Sequence, residues 1–294
     1  MNLRAGRKTR TYIWTVDDGQ VKRRRDDLTT EEPLEIRLVT AEGRQPVAVM
    51  RTPANDFELA AGYLLTEGII TQREQIQRMS FCVDATVDAA QQYNIVNVEL
   101  LPGVQPNVEV VARRFTAVSA CGLCGQASLD ALRQRPCLAI PPGPVVAWST
   151  LLALPEKLRA CQHLFQATGG VHAAALFDLD GELIVLREDI GRHNAVDKLI
   201  GWALMQGQLP LHRCILMLSG RASFEIAQKC LVAGIPIVCS VSAPSSLAVS
   251  LAREFNMTLI GFLRGRRGNV YAGIERIHLP SISSLLRRNA DEDR

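Results

Sequence analysis

The sequence predicts an α/β protein: a layered α/β/α domain preceded by a smaller α+β domain. Three observations lead there. In the last third of the chain, the apolar runs Cys214–Leu218, Ile235–Cys239 and Met257–Phe262 are separated by helical patterns, the mark of buried parallel strands with helices packed on the sheet. Before them, His172–Phe177 and Glu182–Leu186 flank Asp178-Leu179-Asp180-Gly181, whose Asp-Gly is a strong hairpin signal. The first half shows short alternating strands around one helix.

The elements follow in order. Residues 1–28 carry Arg4, Arg7, Lys8, Arg10, Lys22, Arg23, Arg24 and Arg25 and read as a flexible, solvated basic arm, with contact to an anionic partner as the alternative. The small domain is expected over 29–117. Leu34–Val39 alternates as a half-buried strand, and a turn at Glu42-Gly43-Arg44 leads to a second strand, Val47–Met50. A helix from about Asn55 to Thr66 has Asn55 as a suitable N-cap and Gly68 as its stop. Two more strands are expected at Tyr93–Leu101 and Val108–Phe115. The α/β domain is expected over 118–280, with a polar tail at 281–294. Within it, Pro141-Pro142-Gly143-Pro144 is a rigid connector, a helix from Ser149 or Thr150 ends before Gly169-Gly170, and another covers about 194–205.

With 294 residues, 47% hydrophobic and 21% charged, the chain can bury a sizeable core, and its net charge of +3 is too small to imply a nucleic-acid partner. Neither a signal peptide nor an apolar run long enough for a membrane helix is visible, so a cytoplasmic protein is expected. In a reducing compartment structural disulfides among the eight cysteines are not expected. Six of them (Cys82, Cys137, Cys161, Cys214, Cys230 and Cys239) sit among apolar residues and read as small core side chains.

Cys121 and Cys124 differ. Ala120-Cys121-Gly122-Leu123-Cys124-Gly125 places two thiols three positions apart, each followed by glycine, ahead of a helical pattern running to Pro136. Glycines leave the sulfurs unshielded, and a helix N-terminus favours thiolate over thiol. A lone CxxC supplies only two of the roughly four ligands of a zinc site. Zinc deaminase chemistry needs an H-x-E box and P-C-x-x-C, whereas this chain has Val171-His172-Ala173-Ala174 and Ser119-Ala120-Cys121. No structural metal is expected. Three readings stay open: a persulfide sulfur relay, a CxxC thiol–disulfide oxidoreductase, and an assembly chaperone whose thiols are incidental.

Three loops leave the carboxyl ends of the predicted parallel strands, where ligands bind in such sheets: Ser219–Ser223 (with Gly220 and Arg221), Ser240–Ser246 and Arg264–Asn269. Hydroxyls, backbone N–H groups and the guanidinium forks of Arg264, Arg266 and Arg267 suit phosphate, so an anionic, nucleotide-like ligand is expected. Capping of the helices by Ser219 and Ser242 is the plainer alternative. A second polar concentration, Glu188-Asp189-Ile190-Gly191-Arg192-His193-Asn194, offers His193 as a proton shuttle or phosphate contact and Arg192 as an anion clamp. Equally, Asn194 or His193 can cap the helix there while Asp189 and Arg192 pair locally.

Five segments carry a family resemblance. Ser119-Ala-Cys-Gly-Leu-Cys-Gly125, Thr168-Gly-Gly-Val-His-Ala173, Glu188-Asp-Ile-Gly-Arg-His-Asn-Ala-Val-Asp-Lys198, Ser219-Gly-Arg-Ala-Ser223 and Gly261-Phe-Leu-Arg-Gly-Arg-Arg267 resemble, in this order, the FdhD family of sulfur carriers required for formate dehydrogenase activity. The resemblance spans about residues 30–280. It implies a cytoplasmic sulfurtransferase that takes sulfur from a cysteine desulfurase and passes it to the molybdenum bis(molybdopterin guanine dinucleotide) cofactor, bound as cargo, before its insertion into formate dehydrogenase. It further implies Cys121 as the persulfide carrier, Cys124 as an auxiliary thiol, a cofactor-binding segment at Phe262-Leu263-Arg264-Gly265-Arg266-Arg267, a cytidine-deaminase-like fold and a homodimer.

Overall fold

The computed structural model describes residues 6–40, 43–89, 91–104 and 139–279. The expected strand Val108–Phe115, the cysteine segment with the helical pattern after it, and the tail lie outside them. The chain forms two compact units interleaved in sequence: 1–134, 161–174 and 187–209 make one, and 135–160, 175–186 and 210–294 the other. That differs from the consecutive division at 117/118 expected from the sequence, because residues 161–174 and 187–209 fold with the N-terminal half.

The first unit holds a four-stranded sheet in the order β4-β3-β6-β5, from β3 (Glu32–Thr40), β4 (Gly43–Arg51), β5 (Ile76–Phe81) and β6 (Ile95–Leu100). β3 pairs antiparallel with β4 and parallel with β6, while β5 and β6 are antiparallel. Leu34, Ile36 and Leu38 are buried on the core face of β3, as their alternation requires. β5 was not expected from the sequence.

Residues 8–29 are not a flexible arm. They form an antiparallel ribbon of β1 (Lys8–Asp17) and β2 (Gln20–Thr29). Its turn has positive φ at both Asp18 (44°) and Gly19 (77°), the Asp-Gly geometry that matches strand twist. The base is tied to the unit: Thr30 N–H donates to the Arg7 carbonyl at 3.1 Å, and the Thr29 and Thr168 hydroxyls lie 2.8 Å apart.

Helix α1 (Asp56–Thr66) starts at Asn55, as the sequence suggests, but Asn55 is left-handed (φ 58°) and its side chain makes no cap bond. Asp56, in the first turn, accepts from buried Arg51 Nε at 2.9 Å. α1 packs on α4 (Arg192–Met205) at Gly62 and Gly201. A Cβ on Gly62 would overlap the Asp197 carbonyl, and one on Gly201 the Glu58 carbonyl, so the helix backbones touch where no side chain fits. Gly201→Ala is therefore expected to force the helices apart and cost about 2 kcal/mol or more, lowering the midpoint of thermal unfolding by several degrees. A wild-type midpoint in that variant would refute the contact.

The second unit carries the sheet ordered β13-β12-β11-β10-β8-β9, from β8 (His172–Phe177), β9 (Leu183–Asp189), β10 (Ile215–Leu218), β11 (Ile237–Ser240), β12 (Thr258–Arg264) and β13 (Arg267–Ala272). Its boundaries with the first unit fall inside β8 and β9. The pairs β10–β11 and β11–β12 are parallel, as the sequence predicts, and every residue of β10 and β11 is buried. The Asp178–Glu182 turn joins β8 to β9. Helices α5 (Phe224–Val232) and α6 (Ser246–Glu254) follow β10 and β11, while α2 (Trp148–Cys161) continues through Pro155 and precedes α3 (His163–Thr168) of the first unit. A short parallel pair, β7 (Val146–Ala147) with β14 (Ile277–His278), completes the described strands. The fold is mixed α/β, as expected. No helix among the described residues is long and apolar enough to cross a membrane.

Candidate functional site

In the second unit the carboxyl ends of β10, β11 and β12 share one edge because the strands are parallel. The segments that leave them are bonded to one another. The Ser240 hydroxyl, fully buried, lies within bonding reach of the Gly220 and Ser242 carbonyls and accepts from Ser242 N–H at 3.0 Å. Ala222 N–H donates to the Ala243 carbonyl at 3.3 Å, and Ser245 N–H to the Ala222 carbonyl at 3.0 Å. Phe262 N–H donates to the Ser242 carbonyl at 3.0 Å. Ser219–Ser223, Ser240–Ser246 and Phe262 are thus tied together by hydrogen bonds along one edge.

Two details differ from expectation. Ser219 and Ser242 do not cap the helices: Ser223 caps α5, accepting from Ile226 N–H, and Ser245 caps α6, accepting from Ala248 N–H. Nor is 264–269 an open loop. β12 runs on to Arg264, and Gly265-Arg266 turns directly into β13. The strand first bulges: register breaks between Gly261 and Arg264, and Phe262 takes φ 53°, left-handed backbone that an aromatic residue rarely adopts. A Cβ at Gly261 would sit 2.7 Å from Pro244 Cδ, so only glycine lets the bulge approach the neighbouring loop.

The tip is strongly cationic. Arg221, Arg264, Arg266 and Arg267 are exposed, and none has a carboxylate partner among the described residues, whereas Leu263 is buried and anchors the segment. Arg264 and Arg267 face one another directly across the hairpin. Like charges in that position destabilise a hairpin, and an anion bridging them removes the cost.

The other predicted concentration lies in the first unit. Asp189, fully buried, accepts from Thr52 N–H at 3.1 Å, Gly191 N–H at 2.8 Å and Asn194 Nδ2 at 3.0 Å, and pairs with Lys198 Nζ at 2.6 Å. Lys198 also donates to the Thr52 carbonyl at 2.9 Å. Burial pushes the Lys198 ammonium below its ordinary range, opposed by the Asp189 charge beside it. Glu188 accepts from the N–H groups of Leu164 and Phe165 at the start of α3, and Asp197 accepts from the Thr66 hydroxyl at 2.8 Å. The local reading fails in detail: Gly191 is the N-cap of α4, and Asp189 pairs with Lys198 instead of Arg192. Arg192 and His193 occupy the first turn of α4, and Arg192 Nε is buried without a partner among the described residues. His193 belongs to the first unit and the arginine edge to the second.

The FdhD/NarQ family profile matches residues 29–278. The chain belongs to the FdhD/NarQ family. It is 51% identical to the "Sulfur carrier protein FdhD" of Streptomyces coelicolor over 93% of this chain and 97% of that one. The proteins of that name from Streptomyces avermitilis and Mycobacterium tuberculosis are 52% and 50% identical, covering 93% and 88% of this chain and 97% and 94% of theirs. In fold, the chain is similar to the crystal structure of a protein from Desulfotalea psychrophila, provisionally named a formate dehydrogenase accessory protein, with TM-score 0.70 and 24% identity over 92% of this chain and 99% of that one.

The FdhD/NarQ segments can now be placed. The one at 188–198 builds the buried polar scaffold at the start of α4, the one at 168–173 runs from the end of α3 through the exposed Gly169 and Gly170 into β8, and those at 219–223 and 261–267 build the cationic edge. The segment at 119–125, with Cys121 and Cys124, and Cys137 as well, lie outside the described residues. Among the remaining cysteines, Cys82, Cys230 and Cys239 are buried and Cys161 and Cys214 partly so. Burial raises the Cys214 thiol to about 11 and those of Cys230 and Cys239 further still, so these three stay protonated and unreactive at neutral pH.

Proposed function

We propose that this chain is a cytoplasmic sulfur carrier that activates formate dehydrogenase by supplying sulfur to its molybdenum bis(molybdopterin guanine dinucleotide) cofactor. The observation that carries the reading is identity of about half the residues, over nearly the full length, with proteins named for sulfur carriage. The Cys121 thiolate attacks the outer sulfur of a persulfide on a cysteine desulfurase. The S–S bond there breaks, the desulfurase cysteine leaves as thiolate, and Cys121 holds the new S–S bond; no external oxidant is needed. Cys124 serves as an auxiliary thiol.

The cofactor is cargo, and its phosphates suit the cationic edge. Arg264, Arg266 and Arg267 would take diphosphate oxygens, relieving the Arg264–Arg267 repulsion, with Ser219, Gly220 and Arg221 beside them. Phe262 and Gly265 shape the tip, and buried Leu263 fixes it. His193 is proposed as a further cofactor contact. A homodimer is proposed from the family resemblance.

Intact-protein mass spectrometry after incubation with a cysteine desulfurase and cysteine tests the reading. A reducible gain of one sulfur, roughly 32 Da, is expected in wild type and in Cys124→Ala but not in Cys121→Ala. A loss of two hydrogens requiring both cysteines, with no sulfur gain, would instead establish a disulfide oxidoreductase.

A further inference from the structure

The β1–β2 ribbon (8–29) lies ahead of all but the first residue of the family match at 29–278. Residues paired across an antiparallel ribbon share a face, so the pairs Tyr12–Arg25, Trp14–Arg23 and Val16–Val21 lie side by side on one. That face is bare: Trp14 and Val16 are 68% exposed, Val21 60% and Tyr12 55%. It is also preorganised. The Arg23 and Arg25 guanidiniums lie 4.6 and 5.6 Å from the centre of the Tyr12 ring, and Arg25 Nε donates to the Tyr12 hydroxyl at 3.1 Å. Neither arginine has a carboxylate partner among the described residues. By contrast, Lys8 and Arg10 pair with Asp27, and Arg24 with Asp26.

We infer that this face docks an acidic, extended segment of a partner protein, whose carboxylates meet Arg23 and Arg25 while its apolar side chains cover Trp14, Val16 and Val21. Charge complementarity selects the occupant. Two guanidiniums without a carboxylate partner among the described residues, set beside aromatic and apolar side chains, call for carboxylates interleaved with apolar residues. Trp, Tyr and Arg are the residue types that dominate binding energy when buried at protein interfaces. A nucleic acid is the poorer fit, because the ribbon from Lys8 to Thr29 sets six basic side chains against four carboxylates, too slight an excess for phosphate-driven binding. Two strands alone are marginally stable. The bonds of the ribbon base to Thr30 and Thr168 hold it in place without covering its face.

The test uses the full chain and fluorescence anisotropy of a labelled peptide alternating Glu and Phe, with a Lys-Phe peptide, a single-stranded DNA oligomer and light scattering alongside. The Glu-Phe peptide is expected to bind. Its affinity should fall about tenfold or more in Arg23→Glu with Arg25→Glu, and similarly in Trp14→Ser. Lys22→Glu with Arg24→Glu makes the same change of charge on the opposite face and should bind as wild type does. Four results would overturn the inference: no peptide binding, equal losses from the two charge reversals, preference for the DNA, or a wild-type dimer that Trp14→Ser dissociates, since a second copy would then be the occupant. Sulfur loading of Cys121 should proceed normally in every variant.

Discussion

Cys121→Ala is expected to abolish activation of formate dehydrogenase, leaving less than a hundredth of the wild-type yield, while guanine-nucleotide binding stays unchanged. The reason is chemical. Sulfur carriage needs a thiolate with access to two partners in turn, and burial holds the Cys214, Cys230 and Cys239 thiols protonated, so these three cannot substitute. The complementary variant is Arg264→Ala with Arg267→Ala. If the proposed cargo site is right, removing two guanidiniums placed to bond its phosphates should weaken guanine-nucleotide binding by about tenfold or more, with persulfide loading intact. The two variants should therefore separate carriage from cargo binding. Wild-type activation by Cys121→Ala would leave a nucleotide-binding chaperone as the better reading, and unchanged affinity in the arginine pair would remove the hairpin tip from the site.

Much of the second unit was legible because its signals are local. Continuous apolar runs gave β10, β11 and β12 their parallel order, and Asp180-Gly181 gave the turn between β8 and β9. The loops at the carboxyl edge could be expected to meet from topology alone, yet the bulge at Phe262 and the facing Arg264–Arg267 pair could not. A left-handed aromatic residue is held by a contact with Ser242, from a different strand connection, and leaves no trace in its own neighbours. The ribbon was missed for a different reason. Lys22–Arg25 looks like a solvated charge run, and β2 is held by cross-strand pairs such as Tyr12–Arg25 instead of by hydrophobic alternation. Asp18-Gly19 between two strand-forming stretches was the signal to follow. The interleaving of the two units depends on contacts between distant segments, such as Gly62 with Asp197, that no local pattern encodes.

The segment 188–198 shows how a motif suggestive of catalysis can serve mostly as scaffold. Of its polar side chains, Glu188, Asp189, Asn194, Asp197 and Lys198 are bonded within the first unit, and the Asp189–Lys198 pair is fully buried. Lys198→Met is expected to be among the most damaging substitutions in the chain, costing about 3–5 kcal/mol, because it leaves the Asp189 carboxylate buried without its counter-ion and the Thr52 carbonyl without its donor. Adding Asp189→Asn should recover part of that loss by removing the stranded charge. It cannot recover all of it, since the carboxylate also gathers Thr52 N–H, Gly191 N–H and the Asn194 amide around the start of α4. Denaturant unfolding of the two variants measures both terms. A cost under about 1 kcal/mol for Lys198→Met would mean that water reaches the pair and that the buried-pair argument is wrong. If the cost is as large as expected, Arg192 and His193 owe their position at the start of α4 to this pair, and sulfur transfer should fail in Lys198→Met only at temperatures where the first unit loosens.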